Sequence, residues 1–286
     1  MATIRHLALA TNDPAASAAF YRDGFGFAEV SRSPNAVFLA DGNLNLAFIR
    51  FSTDQLGRGM DYVGLHHFGL LVDDVAAWRV RLAARGIHCF MEPPKDGSGD
   101  FNYEYKFRGP DGVVFDLTDH PWKGTTDLDK QQASSKGDCV MAKIRHIALA
   151  TNDPVATAEF YKQAFGFQEI ERRDNPLATG VFLTDGSLNL ALLKFKSDQL
   201  GKGMDYVGLH HFGILVEDVR ETMDKLEAMG TRCFLKPEPG DKSGFEYKFH
   251  GPDGVVFDIS EHPWGGTPAL EREPAPAPSS NPLNAK

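Results

Sequence analysis

The stretch IRHLALATNDPAASAAFYRDGFGFAEV (residues 4–30) returns as IRHIALATNDPVATAEFYKQAFGFQEI (residues 144–170), with 18 of 27 positions identical. It opens on a short apolar run (4–10) with strand character. Asn12-Asp13-Pro14 follows as a helix start, with a capping side chain and a proline pre-set for the first turn. The helix spans 15–22 and stops near Gly24 and Gly26. The likeness resumes at VGLHHFGLLVDDV (63–75) against VGLHHFGILVEDV (207–219), and at GPDGVVFDLTDHPW (109–122) against GPDGVVFDISEHPW (251–264). A period of about 140 residues is too long for a solenoid or propeller repeat, so each copy is a domain-sized unit.

Working outward within the first copy, strands are expected over 27–31, 36–39 and 44–51, with an Asp41-Gly42 hairpin turn between the last two. The pattern then restarts. It gives a strand over 64–72, a helix over 75–84 capped by Asp73-Asp74, and strands over 88–91, 103–107 and 113–118. Each copy therefore reads as βαβββ twice. The expected class is α+β: four βαβββ modules paired into two cup-shaped domains of mixed or mostly antiparallel sheet, made by tandem duplication. Expected boundaries are 1–122 and 141–264, joined by a polar linker at 123–140 and followed by a Pro/Ala/Ser-rich, disordered tail at 265–286.

Composition narrows the function classes. The chain has 286 residues, 42% hydrophobic and 24% charged, with a formal net charge of −9. That charge disfavours nucleic acid as a partner. No apolar run is long enough to span a bilayer as a helix, and the N-terminus carries no signal pattern, so no membrane partner is expected. Cys89 and Cys233 occupy equivalent positions and Cys139 falls in the linker. Three such thiols make no disulfide framework, and a cytoplasmic location is the expectation.

Four polar positions per copy interrupt otherwise apolar strands: His6, Asn45, His67 and Asp116, and their counterparts His146, Asn189, His211 and Asp258. They fall on the first and last strands of each module. Pairing two modules would bring both imidazoles and the carboxylate to one concave surface. Two His and one carboxylate with open positions suit Fe(II), and also accommodate Mn, Zn, Ni or Co.

These segments together resemble the vicinal oxygen chelate superfamily, which includes glyoxalase I, the type I extradiol dioxygenases and the bleomycin-resistance proteins. The resemblance covers nearly all of both copies. It implies metal binding by His146, His211 and Asp258, with His6, His67 and Asp116 as a second site and Asn45 and Asn189 as weaker ligands. Two departures stand out: Asp replaces the usual Glu at the last ligand, and Asn replaces an acid on the fourth strand. Three strong ligands lean toward the dioxygenase pattern, although Tyr247 sits one residue too far from Asp258 for that motif.

Tyr105 and Tyr247 are the candidates for proton transfer or oxyanion contact. His66 and His210 should point away from the ligands by strand alternation. Glu104 and Glu246 read as solvated edge residues, and His120 and His262 as capping groups after the last strands. Residues 54–64 and 198–208 read as packing or pocket-rim loops. The expected function is a divalent-metal-dependent enzyme, Fe(II) favoured, that chelates neighbouring oxygens of a small organic substrate. A metal-free sequestering protein, or a Zn, Ni, Co or Mn isomerase or lyase, is the alternative. The small molecule is the expected partner, with a homo-oligomer left open.

Overall fold

A computed structural model describes residues 2–94, 104–125, 142–237 and 246–270. The first half contains β1 (Thr3–Ala10), α1 (Pro14–Phe25), β2 (Ala28–Ser33), β3 (Ala36–Ala40), β4 (Asn45–Ile49), β5 (Gly64–Leu71), α2 (Val75–Ala83), β6 (Cys89–Met91), β7 (Tyr105–Arg108) and β8 (Val114–Thr118). The second repeats it: β9 (Lys143–Ala150), α3 (Pro154–Phe165), β10 (Gln168–Asp174), β11 (Ala178–Thr184), β12 (Asn189–Phe195), β13 (Gly208–Leu215), α4 (Val219–Ala228), β14 (Cys233–Leu235), β15 (Tyr247–His250) and β16 (Val256–Ser260). The expected βαβββ modules are all present.

Each half forms one open, mixed sheet of eight strands, ordered β2-β3-β4-β1-β5-β8-β7-β6 and β10-β11-β12-β9-β13-β16-β15-β14. Two modules meet at the antiparallel β1–β5 and β9–β13 pairs, while β1–β4 and β5–β8 run parallel. The helices start where the sequence says. Asp13 accepts the Ala16 backbone N–H at 3.0 Å, Pro14 opens α1, and Gly26 closes it in the left-handed region at φ 76°.

One face of each sheet carries the core. Ile4, Leu7 and Leu9 of β1 face it, as do Phe68, Phe115 and their counterparts. This core runs continuously through both halves. Tyr21 of α1 packs on Phe48 of its own half but also on Phe212 and Phe257 of the other. Reciprocally, Tyr161 and Phe165 of α3 pack on Phe68 and Phe115. Polar ties follow the same exchange. The Ile4 N–H donates to Asp185 at 2.6 Å and the Ile144 N–H to Asp41 at 2.7 Å.

The opposite face of each sheet carries a smaller, alanine-rich cluster: Ala8, Ala36, Ala47 and Phe38 in one half and Ala148, Ala178, Ala191 and Leu193 in the other. The site lies on this face. The expected linker and tail lie largely outside the described residues, Cys139 included. Their first residues, however, are packed: the Lys123 and Gly265 carbonyls accept from the Asn45 and Asn189 amides.

Candidate metal centre

Strand register lines up a row of side chains across five strands. In the second half, Asn189 pairs with His146, His146 with Gly213, Gly213 with Asp258, and Asp258 with Lys248. The first half repeats this with Asn45, His6, Gly69, Asp116 and Lys106. Cross-strand partners share a face, so each row is a polar stripe across the sheet, broken only by its glycine. His211 and His67 stand on the same face, two residues before the row's glycine.

In the second half three donors converge. His146 Nε2 and His211 Nε2 are 3.3 Å apart, and His211 Nε2 lies 3.2 Å from Asp258 Oδ2. All three residues are buried, with ligand atoms within 4.8 Å of one another. Donors held at roughly 2.1 Å from one ion lie about 3 Å apart, so this spacing fits a divalent cation. Among the described residues Asp258 Oδ1 and Asp116 Oδ1 are buried and meet no hydrogen-bond partner, as ligand oxygens would before a metal binds. In the first half His67 Nε2 lies 3.1 Å from Asp116 Oδ2, and His67, Glu104 and Asp116 form the compact group. His6 stands beside it, its ring centroid 5.3 Å from that of His67.

Burial holds all four imidazoles below their ordinary range. For His67 and His211 the neighbouring lysine and the second imidazole depress protonation further. Neutral imidazole is the form that binds metals. His146 Nδ1 is 2.9 Å from Asn189 Oδ1, and His6 Nδ1 the same distance from Asn45 Oδ1. An amide oxygen accepts only, so Nδ1 carries the proton and Nε2 presents its lone pair to the site. Asn45 and Asn189 stand behind the first-strand histidines, where each amide oxygen accepts from Nδ1 and orients the ring.

The fourth group is a lysine. Lys248 Nζ lies 2.6 Å from Asp258 Oδ2 and 3.4 Å from His211 Nε2; Lys106 Nζ lies 2.6 Å from Asp116 Oδ2 and 3.5 Å from His67 Nε2. Burial pulls the Lys106 pKa down, but Asp116 and Glu104 outweigh it and hold the ammonium above its usual range.

Trp122 and Trp264 cover the rows. Each indole stacks on the first-strand histidine, at 5.0 Å and 7° to His6 and at 5.2 Å and 10° to His146. Each indole N–H donates to a carboxylate, Glu104 or Glu246, at 2.7 Å. Gly69 and Gly213 make room, since a Cβ there would meet the indole at 2.6 and 2.5 Å.

The Glyoxalase/Bleomycin resistance protein/Dioxygenase superfamily model matches residues 3–117 and 143–259. The chain belongs to this superfamily. It is 25% identical over 215 residues to a probable chloroplastic lactoylglutathione lyase of Arabidopsis thaliana, a match spanning 66% of this chain and 57% of that one. This chain thus spans under two thirds of that relative's length. In fold it is similar to the Mn(II)-bound glyoxalase of Novosphingobium aromaticivorans (TM-score 0.66, 22% identity, 90% of this chain and 81% of that one). It is similar also to the 2,3-dioxygenase LapB of Pseudomonas sp. KL28 (TM-score 0.68, 17% identity, 96% of each chain).

Within this superfamily fold, several residues stand elsewhere than the sequence suggested. Tyr105 and Tyr247 pair with Leu117 and Ile259 on the core face, turned away from the triads. The side chain that reaches each triad from that strand is the next residue, lysine. A signal was available: Lys106 and Asp116 are equidistant from Asp111 at the hairpin turn, as Lys248 and Asp258 are from Asp253. Glu104 and Glu246 are not solvated edge residues but partners of tryptophan and lysine. His66 and His210 do not point away. Ala8 pairs with His67 and Leu9 with Leu65, so His66 is the extra residue of a β-bulge, as His210 is in β13. Each bonds its neighbour, Nδ1 to Nδ1 at 2.8 Å, and stacks on Phe51 or Phe195.

His66 and His210 also line a solvent-open pocket in each half. The other walls include Asp54, Met60 and Tyr62, or Asp198, Met204 and Tyr206, so these loops form a pocket rim as well as a tie between halves. Arg58 crosses over to donate to the Tyr206 hydroxyl and the Val207 carbonyl. The His120 and His262 backbone N–H groups donate to Thr118 and Ser260, turning the chain toward the covering tryptophan.

Proposed function

We propose that the chain is a divalent-metal-dependent enzyme of the glyoxalase/extradiol dioxygenase type, acting on a small organic molecule with two neighbouring oxygens. The observation that carries this reading is the convergence of His146 Nε2, His211 Nε2 and Asp258 Oδ2 at 3.2–3.3 Å. Those residues would hold the metal, with His67 and Asp116, flanked by His6 and Glu104, as a second site. Two imidazoles and a carboxylate favour Fe(II); Mn, Zn, Ni and Co are the alternatives. A bound ion there would supply Lewis-acid polarisation of a substrate oxygen.

The surrounding residues have separable tasks. Asn189 fixes the His146 tautomer, Trp264 excludes water from one side, and Lys248 brings a positive charge to where an oxyanion would form. A metal-free binding protein is the second reading, favoured by the ammonium that already neutralises each carboxylate.

Metal content by elemental analysis tests the choice, on protein purified anaerobically without chelator beside the His146→Ala/His211→Ala variant. We expect roughly one or two equivalents per chain, at least one lost in the variant. Iron would direct substrate screening to catechols, and Mn, Zn, Ni or Co to glyoxalase-like substrates. No metal and no uptake on titration would leave the binding-protein reading.

A further inference from the structure

Both halves keep the same lysine against the same carboxylate. Lys106 pairs with Asp116, and Lys248 with Asp258, across an antiparallel hairpin whose side chains share the site face. Both ammonium groups are nearly buried, with side chains 9% and 6% exposed. Each reaches the carboxylate oxygen that the second imidazole also approaches. The ammonium reaches both the carboxylate oxygen and the imidazole Nε2 that lies 3.1–3.2 Å from it, so when that nitrogen presents its lone pair the positive charge serves both atoms. A divalent ion at that oxygen and an ammonium 2.6 Å from it would repel each other in a buried setting. A second acid stands within reach: Glu104 Oε2 is 3.7 Å from Lys106 Nζ, and Glu246 Oε2 is 3.8 Å from Lys248 Nζ. Its other oxygen is pinned by the tryptophan N–H.

We infer that Lys106 and Lys248 are built-in counter-cations that compete with the metal. In the metal-free protein each lysine neutralises Asp116 or Asp258 and keeps the donors together. When a divalent ion binds, the ammonium moves from the aspartate to Glu104 or Glu246. This rests on the metal reading above for the identity of the competing ion. It assigns the lysine and glutamate to positioning roles that the ligand set does not include.

Co(II) is the probe, because its visible absorbance reports ligation without turnover. Titrations would be made with the first half silenced by His67→Ala, in six backgrounds: Lys248 native, Lys248→Met and Lys248→Gln, each with Glu246 native and with Glu246→Gln. The glutamine variant keeps an amide donor for Asp258 and guards against a methionine variant that does not fold. We expect Lys248→Met and Lys248→Gln to bind Co(II) about tenfold or more tightly than the native residue. Glu246→Gln should weaken binding several-fold with Lys248 present and have no effect once it is replaced. Equal or weaker Co(II) binding in both lysine variants, with the native residue binding, would overturn the competition and leave the metal reading intact. Binding in the variants alone would uphold the competition and overturn the metal-dependent enzyme. Co(II) uptake by none of them would overturn both.

Discussion

Asn189 does its work through one proton. Its amide oxygen accepts a hydrogen bond from the His146 Nδ1–H, and its amide nitrogen donates to the Gly265 carbonyl, tying down the chain after Trp264. Asn189→Ala should weaken divalent-metal binding about 10–100-fold, because the freed ring can rotate or change tautomer. Co(II) titration checks this, and unchanged affinity would reduce Asn189 to a strap for the chain end. The same buried imidazoles set an acid limit on the metal-free fold. Burial depresses His6, His67, His146 and His211, and pushes His66 and His210 down to about 2. In the unfolded chain these rings take up protons below about pH 6.5, while the folded chain refuses them. Their contribution to stability is therefore complete above about pH 6.5 and declines as pH falls below it. Each ring that stays neutral costs up to about 1.4 kcal/mol per pH unit. Urea midpoints from about pH 8 to about pH 5.5 should fall steeply on the acid side; a flat profile would mean the rings are protonated in place.

At the scale of the element, alternation along strands carried most of what could be read from the chain. Every module, the helix caps at Asp13 and Asp74, and the shared face of His6 and Asp116 follow from period-two spacing and turn residues. What alternation missed arises where it breaks or where counting must cross a turn. The bulge at His66 returns two successive histidines to one region, and no local residue announces it. The lysine was hidden in YKF, where the flanking aromatics draw attention although only the middle residue faces the site. The glycine opposite each indole is another element-scale device. An added Cβ at Gly213 would lie 2.5 Å from the Trp264 ring and 2.9 Å from His146 Cβ, with both neighbours packed. Gly213→Ala should therefore destabilise the fold by about 1–3 kcal/mol and displace the indole from His146. Urea denaturation followed by tryptophan fluorescence reads both effects. Native stability with an unchanged spectrum would show that the cover is looser than its packing implies.

In the whole molecule, duplication has produced two candidate sites but not two independent cores. The first helix of each half packs on its own sheet and also reaches the other's: Tyr21 lies on Phe48 but also on Phe212 and Phe257, and Tyr161 lies on Phe68. The polar ties are reciprocal too, with Ser17 donating to Asp253 and Thr157 to Asp111 at 2.8 and 3.1 Å. A half cut free would expose the apolar face that its partner covers, an area too large to leave in water. It would also carry a close copy of what its partner offered, because the contact residues repeat in sequence. Residues 1–125 expressed alone should therefore not form a folded monomer. They should pair with a second copy of themselves through the surface that residues 142–270 occupy in the full chain, as an isologous dimer whose folding depends on concentration. Sedimentation equilibrium with circular dichroism across a dilution series distinguishes the outcomes. A folded half that stays monomeric on dilution would mean that the contacts between halves decorate two self-sufficient domains, and that each site can assemble without the other half.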